Sequence, residues 1–307
     1  MSLMTKKTTM MKRADNWRYR DNHMNRLLLM LSLVLLALPA SAVAGKAADA
    51  EETGKAFRLA ASAGDTKAVL QYLQTNKVEV DAANLFGKTA LMMAVENDHF
   101  ATIVALLNRG ADVNARTRDG GTALTFAAEN GHSGVTAMLL EKGAHLHDRN
   151  NAGLDSLMLA AQYDLVEVVD QLLFKGADIK ASDKSGRSAL MIAAEKGYAG
   201  VVRMIAEAGA DLESRDREGA TSLIIAAASD KQDVVELLLE LGANIDAQDN
   251  DGITALIEAV YNRSSSMTSL LVAKGANIGI KCREGDSALD IARKNDAAEL
   301  LELLQQQ

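Results

Sequence analysis

One spacing constrains this chain more than any other feature. Gly87, Gly120, Gly153, Gly186, Gly219, Gly252 and Gly285 recur every 33 residues. Four residues after each stands a leucine: Leu91, Leu124, Leu157, Leu190, Leu223, Leu256 and Leu289. Seven after each stands an alanine: Ala94, Ala127, Ala160, Ala193, Ala226, Ala259 and Ala292. Three columns in phase define an array of repeats. A unit of this length cannot bury its apolar face alone and must stack on its neighbours.

The unit reads as two helices and a loop. Two residues after each glycine comes Thr89, Thr122, Asp155, Ser188, Thr221, Thr254 or Ser287. Each has the short side-chain oxygen that caps a helix N-terminus. The leucine and alanine that follow share one face, at i and i+3. A turn position comes next, at Asp98, Gly131, Asp164, Gly197, Asp230, Arg263 and Asp296. Gly and Asp tolerate a left-handed backbone there, and Arg263 is the misfit. A second helix, with Val234, Val235, Leu238 and Leu239 in one copy, ends at Gly110, Gly143, Gly176, Gly209, Gly242 or Gly275. Glycine is expected just past a helix C-terminus. Aromatic residues make up 4% of the chain, so the core is built from Ala, Leu, Ile, Val and Met. The expected fold class is all-α.

These residues resemble the ankyrin repeat. "GKTALMMAVENDH", "GGTALTFAAENGH" and "GITALIEAV" match its opening signature, and "GADVNA", "GADLES" and "GANIDA" match its closing loop. The resemblance covers essentially all of 51–307. It implies a solenoid of about eight helix–turn–helix units with hairpin-like finger loops. The units lie near 51–82, 83–115, 116–148, 149–181, 182–214, 215–247, 248–280 and 281–307. The family's proline is replaced by Ala90, Ala123, Ser156, Ala189, Ser222, Ala255 and Ala288. Its histidine is replaced by Met92, Thr125, Met158, Met191, Ile224, Ile257 and Asp290. Both departures imply a stack held more by Ala, Leu and Met packing than by polar staples.

The N-terminus differs from the array. Residues 1–26 are basic, "LLLMLSLVLLAL" at 27–38 is uncharged, and "PASAVAG" follows at 39–45. This is the pattern of a secretory signal, 1–44, with cleavage after Ala42 or Ala44. Residues 45–50 then form a short linker. The alternative is an uncleaved anchor over 27–45. Met24 is an alternative start, since Met24-Asn25-Arg26 supplies a short basic region. Removing 1–44 takes away seven Lys/Arg and two Asp/Glu, leaving 26 against 39 and a formal net charge of −13. An acidic domain argues against a nucleic-acid partner. The expected location is the bacterial periplasm or the medium, or the inner membrane facing the periplasm if the segment stays attached.

No catalytic constellation stands out. G-x-S-x-G, P-loop, H-E-x-x-H and dinucleotide fingerprints are absent from the sequence, and neither an enzyme nor a cofactor is expected. His99 and His132 share one position in adjacent units and read as structural. His145 and His147 are the two candidate metal ligands, lacking a third beside them except Asp148. They also read as polar loop residues. Cys282, the one cysteine, lies between Lys281 and Arg283, whose charges favour a thiolate.

Recognition remains. In the family, fingers and inner helices grip protein partners. Carried over by position, one finger column is Arg116, Arg149, Ser182, Arg215, Gln248 and Lys281. The next is Arg118, Asn151, Lys184, Arg217, Asn250 and Arg283, followed by a third of Asp119, Ala152, Ser185, Glu218, Asp251 and Glu284. Arg187 lies on a finger beside Lys184 and Ser185. Leu85 and Phe86 lie at a tip, and Tyr163 and Tyr261 at inner-helix ends that the family uses for contact. Two readings compete for the basic columns, namely a partner surface and local pairing with Asp and Glu.

The expected function is an exported scaffold that binds a protein partner, with no small-molecule substrate evident. Alternatives are a secreted host-directed effector and a periplasmic oxidative-stress protector using Met92, Met93, Met138, Met158, Met191, Met204 and Met267 as sacrificial sulfur. Pro39 is the single proline. Refolding of 45–307 should therefore show no proline-limited phase. A slow phase accelerated by a prolyl isomerase, seen in stopped-flow refolding, would contradict this.

Overall fold

The structure is a computed structural model that describes residues 42–75 and 77–305. Residues 1–41, which hold most of the signal-like segment and Met24, lie outside the described residues. No helix among the described residues is long and apolar enough to cross a membrane.

From residue 49 on, the described residues belong to one compact unit. The described helices run in pairs in chain order, the first of them beginning ahead of this unit. The first pair is α1 (Ala42–Ser62) and α2 (Thr66–Gln74), then α3 (Ala90–Glu96) and α4 (Phe100–Asn108). Next come α5 (Ala123–Glu129) with α6 (Ser133–Glu141), and α7 (Ser156–Gln162) with α8 (Val166–Phe174). They are followed by α9 (Ala189–Lys196) with α10 (Ala199–Glu207), and α11 (Ser222–Ala228) with α12 (Gln232–Glu240). The last are α13 (Ala255–Tyr261) with α14 (Ser265–Ala273), and α15 (Ala288–Lys294) with α16 (Ala298–Gln305). Residues 45–50, read as a linker, fall within α1. Among the described residues there are no strands, only isolated bridges at Ser182–Ser188 and Lys281–Ser287.

Every cap read from the sequence is made. Thr89, Thr122, Asp155, Ser188, Thr221, Thr254 and Ser287 each accept a hydrogen bond from the N–H three residues on. The lost histidine is partly replaced at three positions. Met92 Sδ accepts from Thr89 N at 3.5 Å, Thr125 Oγ1 from Thr122 N at 2.8 Å, and Asp290 Oδ2 from Ser287 N at 3.1 Å. The cap residues have extended backbones, such as φ −78° and ψ 168° at Ser188. That conformation would also admit a proline next in line, so Ala189 departs from the family without a backbone reason.

The alanine column has a double role. Ala94, Ala127, Ala160, Ala193, Ala226, Ala259 and Ala292 are all 0% exposed. Their carbonyls also accept the N–H that closes the inter-helix turn, as in His99 N to Ala94 O and Ser264 N to Ala259 O. This is the Schellman closure, which needs a left-handed residue just before the donor. Asp98, Asp164, Asp230 and Asp296 take φ between 50° and 58°, and Arg263 takes 56°. The misfit arginine therefore adopts the turn its column demands. Its Nη2 donates to Asn295 O in the following unit at 2.6 Å.

The core is a continuous run of Leu, Ile, Val, Ala and Met between stacked pairs. Thr136 and Thr268 stand in a column otherwise filled by Ile103, Val169, Val202, Val235 and Leu301. Both are 0% exposed, and neither hydroxyl has a hydrogen-bond partner. A buried, unpaired hydroxyl costs about 1–3 kcal/mol. Thr268→Val should raise the stability of the unit around α14 by about 1 kcal/mol, read as a higher midpoint in urea. An unchanged or lower midpoint would mean that the hydroxyl is satisfied.

Candidate binding surface

The fingers are built by an acceptor the sequence reading missed. Three residues before each column glycine stands Asn84, Thr117, Asn150, Asp183, Asp216, Asp249 or Cys282. Asp183 Oδ1 accepts from Ser185 N at 2.7 Å and Arg187 N at 2.9 Å. Asn84, Asn150, Asp216 and Asp249 make the same pair of bonds within their own fingers. Burial pushes the Asp216 carboxyl above its ordinary range, against the pull of its two backbone N–H bonds. The signal was present as a short oxygen-bearing side chain in six of seven fingers. Cys282 is the departure, and it is buried at 6% exposure with its own N–H bonded to Asp286 O.

Each finger is hydrogen-bonded to the next. The N–H groups of Arg118, Asn151, Lys184, Arg217, Asn250 and Arg283 donate to the carbonyls of Phe86, Asp119, Ala152, Ser185, Glu218 and Asp251, at 2.7–3.1 Å. Close approach explains the glycine column. A Cβ on Gly186 would lie 2.8 Å from Arg217 N, and the residue has φ +80°. Both the contact and the backbone exclude other residues.

The first basic column is hydrogen-bonded along the row of fingers. Arg116 donates to Arg149 O and pairs with Asp148 at 2.8 Å. Arg149 Nη1 donates to Ser182 O at 3.2 Å. Arg215 donates to Gln248 O and to Gly219 O, and Gln248 Nε2 donates to Lys281 O and Gly252 O. Each of these side chains reaches the same position one unit later. Arg187 is also engaged, holding Asp183 and Glu195, each at 3.1 Å, with 18% of its side chain exposed. Lys88–Glu96 and Asp286–Lys294 repeat this finger-to-inner-helix pairing, with the sign reversed in the last unit. Lys88 also lies over the Phe126 ring at 4.6 Å.

The second column differs in its bonding and not in its exposure. Arg118, Lys184 and Arg217 are exposed, as Arg116, Arg149 and Arg215 are, and Arg283 makes only a 3.5 Å pair with Asp251, both largely in solvent. Such an exposed pair contributes little. Lys281 is exposed as well. Leu85 and Phe86 are 65% and 63% exposed, so they do not pack on the first-unit loop. Tyr163 is 37% exposed. Tyr261 is half-buried, and burial first, then nearby Cys282, Glu284, Asp286 and Glu258, push its phenol up to about 12. Phe174, at the end of α8, is 85% exposed and was not anticipated.

His99 and His132 join units, as a structural role requires. His99 Nε2 bonds to Ser62 O at 2.9 Å and His132 Nε2 to Glu96 O at 3.2 Å. His145 and His147 are exposed, and His145 Nδ1 lies 3.6 Å from Asp148. Among the described residues, no three His, Cys, Asp or Glu side chains come together in a way that could hold a metal ion.

Polar staples are more numerous than the missing proline and histidine implied. Asp81, Asn114, Glu213 and Asp246 accept from backbone N–H groups of the following unit. His147 and Lys180 interrupt this column. The staples crowd toward both ends of the array. In the middle, Arg149 Nη1 donates to Ser182 O and Asn244 N to Glu213 Oε1 across the junctions of 149–181 with 182–214 and of 182–214 with 215–247. The packing-dominated reading fails at the ends.

Comparison with known proteins agrees with this architecture. Family models for ankyrin repeats match residues 57–150 and 157–249, and a further one matches 238–292. The crystal structure of the human ASB11 ankyrin repeat domain is similar, with 26% identity and a TM-score of 0.65. The match covers 71% of this chain and 98% of that one. Among curated proteins, none matches the chain. With the repeat columns, the capped helix pairs and the bonded fingers in place, the chain belongs to the ankyrin-repeat family.

Proposed function

We propose that the chain is an exported scaffold that binds a partner protein through its fingertips and inner-helix face, without catalysis. Ankyrin repeats are protein-interaction scaffolds, and this chain has their fold. The carrying observation is the exposed Leu85–Phe86 pair, whose backbone is held by the bond from Arg118 N to Phe86 O at 2.9 Å. A preset backbone at the anchor reduces the ordering cost of binding. Arg118, Lys184 and Arg217 supply charge on later fingers, and aromatic and Arg side chains are the usual hot-spot residues.

The first column is assigned a different role. Arg116, Arg149 and Arg215 hold fingers together, and Arg187 holds a finger to its helix. Their loss would alter the scaffold rather than the contact. Export rests on the pattern of 1–44, with the periplasm or the medium as destination. The sulfur-scavenging alternative loses support because Met92, Met158, Met191 and Met267 are at most 1% exposed. Buried thioethers are poorly placed to meet an oxidant.

The test is affinity capture from a periplasmic extract by residues 45–307 and by a Leu85→Ser/Phe86→Ser variant. The variant should lose captured protein by about 30-fold, the scale of one hot-spot loss, with its urea midpoint unchanged. Arg215→Ala should do the reverse, lowering the midpoint while capturing the same protein. Equal capture by the Leu85/Phe86 variant would overturn the assignment of the tip.

A further inference from the structure

The inner-helix face has a pattern of its own. It is set by the residue after each column glycine and the residue eight further on. In three units these two form an ion pair, Lys88–Glu96, Arg187–Glu195 and Asp286–Lys294. The two positions therefore face each other, finger base against inner-helix end. In the units between, the pairs are Gly121 with Glu129, Leu154 with Gln162, Ala220 with Ala228, and Ile253 with Tyr261. The unit at 215–247 is the one in which both members are alanine. The space that Arg187 and Glu195 fill one unit earlier has no side chain of that length there, and Ala228 is exposed.

This notch has apolar walls and a negative surround. Asn262 Nδ2 donates to Ala228 O at 3.0 Å, which sets the end of α13, with Tyr261, beside Ala228. Ile225 lies three residues before Ala228 and packs in one apolar group with Ala220. Glu258 takes the place that Met93, Phe126, Leu159, Ile192, Ile225 and Ile291 hold in other units, and it is 8% exposed. It stands three residues before Tyr261, on the same face of α13. After burial, Cys282, Glu284, Asp286 and Glu258 each raise the Tyr261 phenol, so each acts on the ring as negative charge. The cations of the same two rows are engaged elsewhere. Arg187 holds Asp183 and Glu195, and Lys294 holds Asp286.

We propose that the notch takes a lysine or arginine side chain of the partner protein, with its stem against Ala220, Ile225 and Ala228 and its charge beside Tyr261 and Glu258. On the scaffold reading above, this is the group that the inner-helix face selects. A long cationic side chain lays its stem on apolar surface and keeps its charge at the end. A cation is attracted to an aromatic face. The formal net charge of −13 from residue 45 on favours a cationic group at the contact. Arg187–Glu195 and Asp286–Lys294 fill the corresponding space in their own units, so the cation is received at one place in the row.

Random peptides displayed on phage, selected on residues 45–307 and counter-selected against Ala228→Lys, test the notch without the natural partner. Ala228 is exposed, so the substitution should leave the urea midpoint unchanged while putting the occupant's own charge in the notch. Surviving peptides should share a lysine or arginine, and norleucine in its place should weaken binding about 10-fold. Ala220→Arg with Ala228→Glu, which copies the pair one unit earlier, should lose the same peptides. Tyr261→Leu should weaken them and reduce their preference for the cation over norleucine. The Leu85→Ser/Phe86→Ser variant should keep them, so failure of the notch and failure of the tip are read apart. Survivors that share an acidic or an apolar residue in place of the cation would overturn the notch, as would peptides that bind the parent and Ala228→Lys equally.

Discussion

The contact between one helix pair and the next is what makes the rest of this structure possible. The first helices of most units are only seven residues long and the second nine. Helices of that length are marginal in water. They persist because the Leu and Ala face of each pair is closed by its neighbour, with the alanine column at 0% exposure. Alanine also lets the turn-closing N–H reach its carbonyl at each inter-helix turn. Packing and backbone closure therefore depend on the same small residue, and a larger side chain would disturb both.

The polar layer is added to that stack. Asx side chains fold each finger, bonds from one finger's N–H to the previous finger's carbonyl align the row, and arginines of the first column reach along it. Finger position is thus inherited from helix stacking. The row presents Leu85 and Phe86 on one tip and cations on later tips, on a backbone with little freedom left. Recognition by such a surface rests on what is already in place before the partner arrives.

Much of this was legible in the sequence. The caps at Thr89 through Ser287, the left-handed turns and the glycines after the second helices are local demands. Local demands leave a residue type at a fixed offset, and even Arg263 obeys its column. The role of Arg116, Arg149 and Arg215 was harder to see, because their acceptor is a backbone carbonyl 33 residues away. A carbonyl leaves no trace in residue identity, so the bonds along this column cannot be read from it. The Asx column was readable but was overlooked beside the charges at the tips. Exposure of Phe174 depends on three-dimensional neighbours, and periodicity alone does not carry it.

The central claim is that each unit is held by its neighbours and needs no more distant part of the chain. Deleting 182–214, one full period, tests this directly. Column residues at the new junction remain in register, with Arg149 facing the carbonyl of residue 215 in place of Ser182. The account predicts that far-ultraviolet circular dichroism of the shortened chain keeps the same helical signal per residue and that unfolding stays cooperative. Loss of helical signal across the remaining units would contradict it.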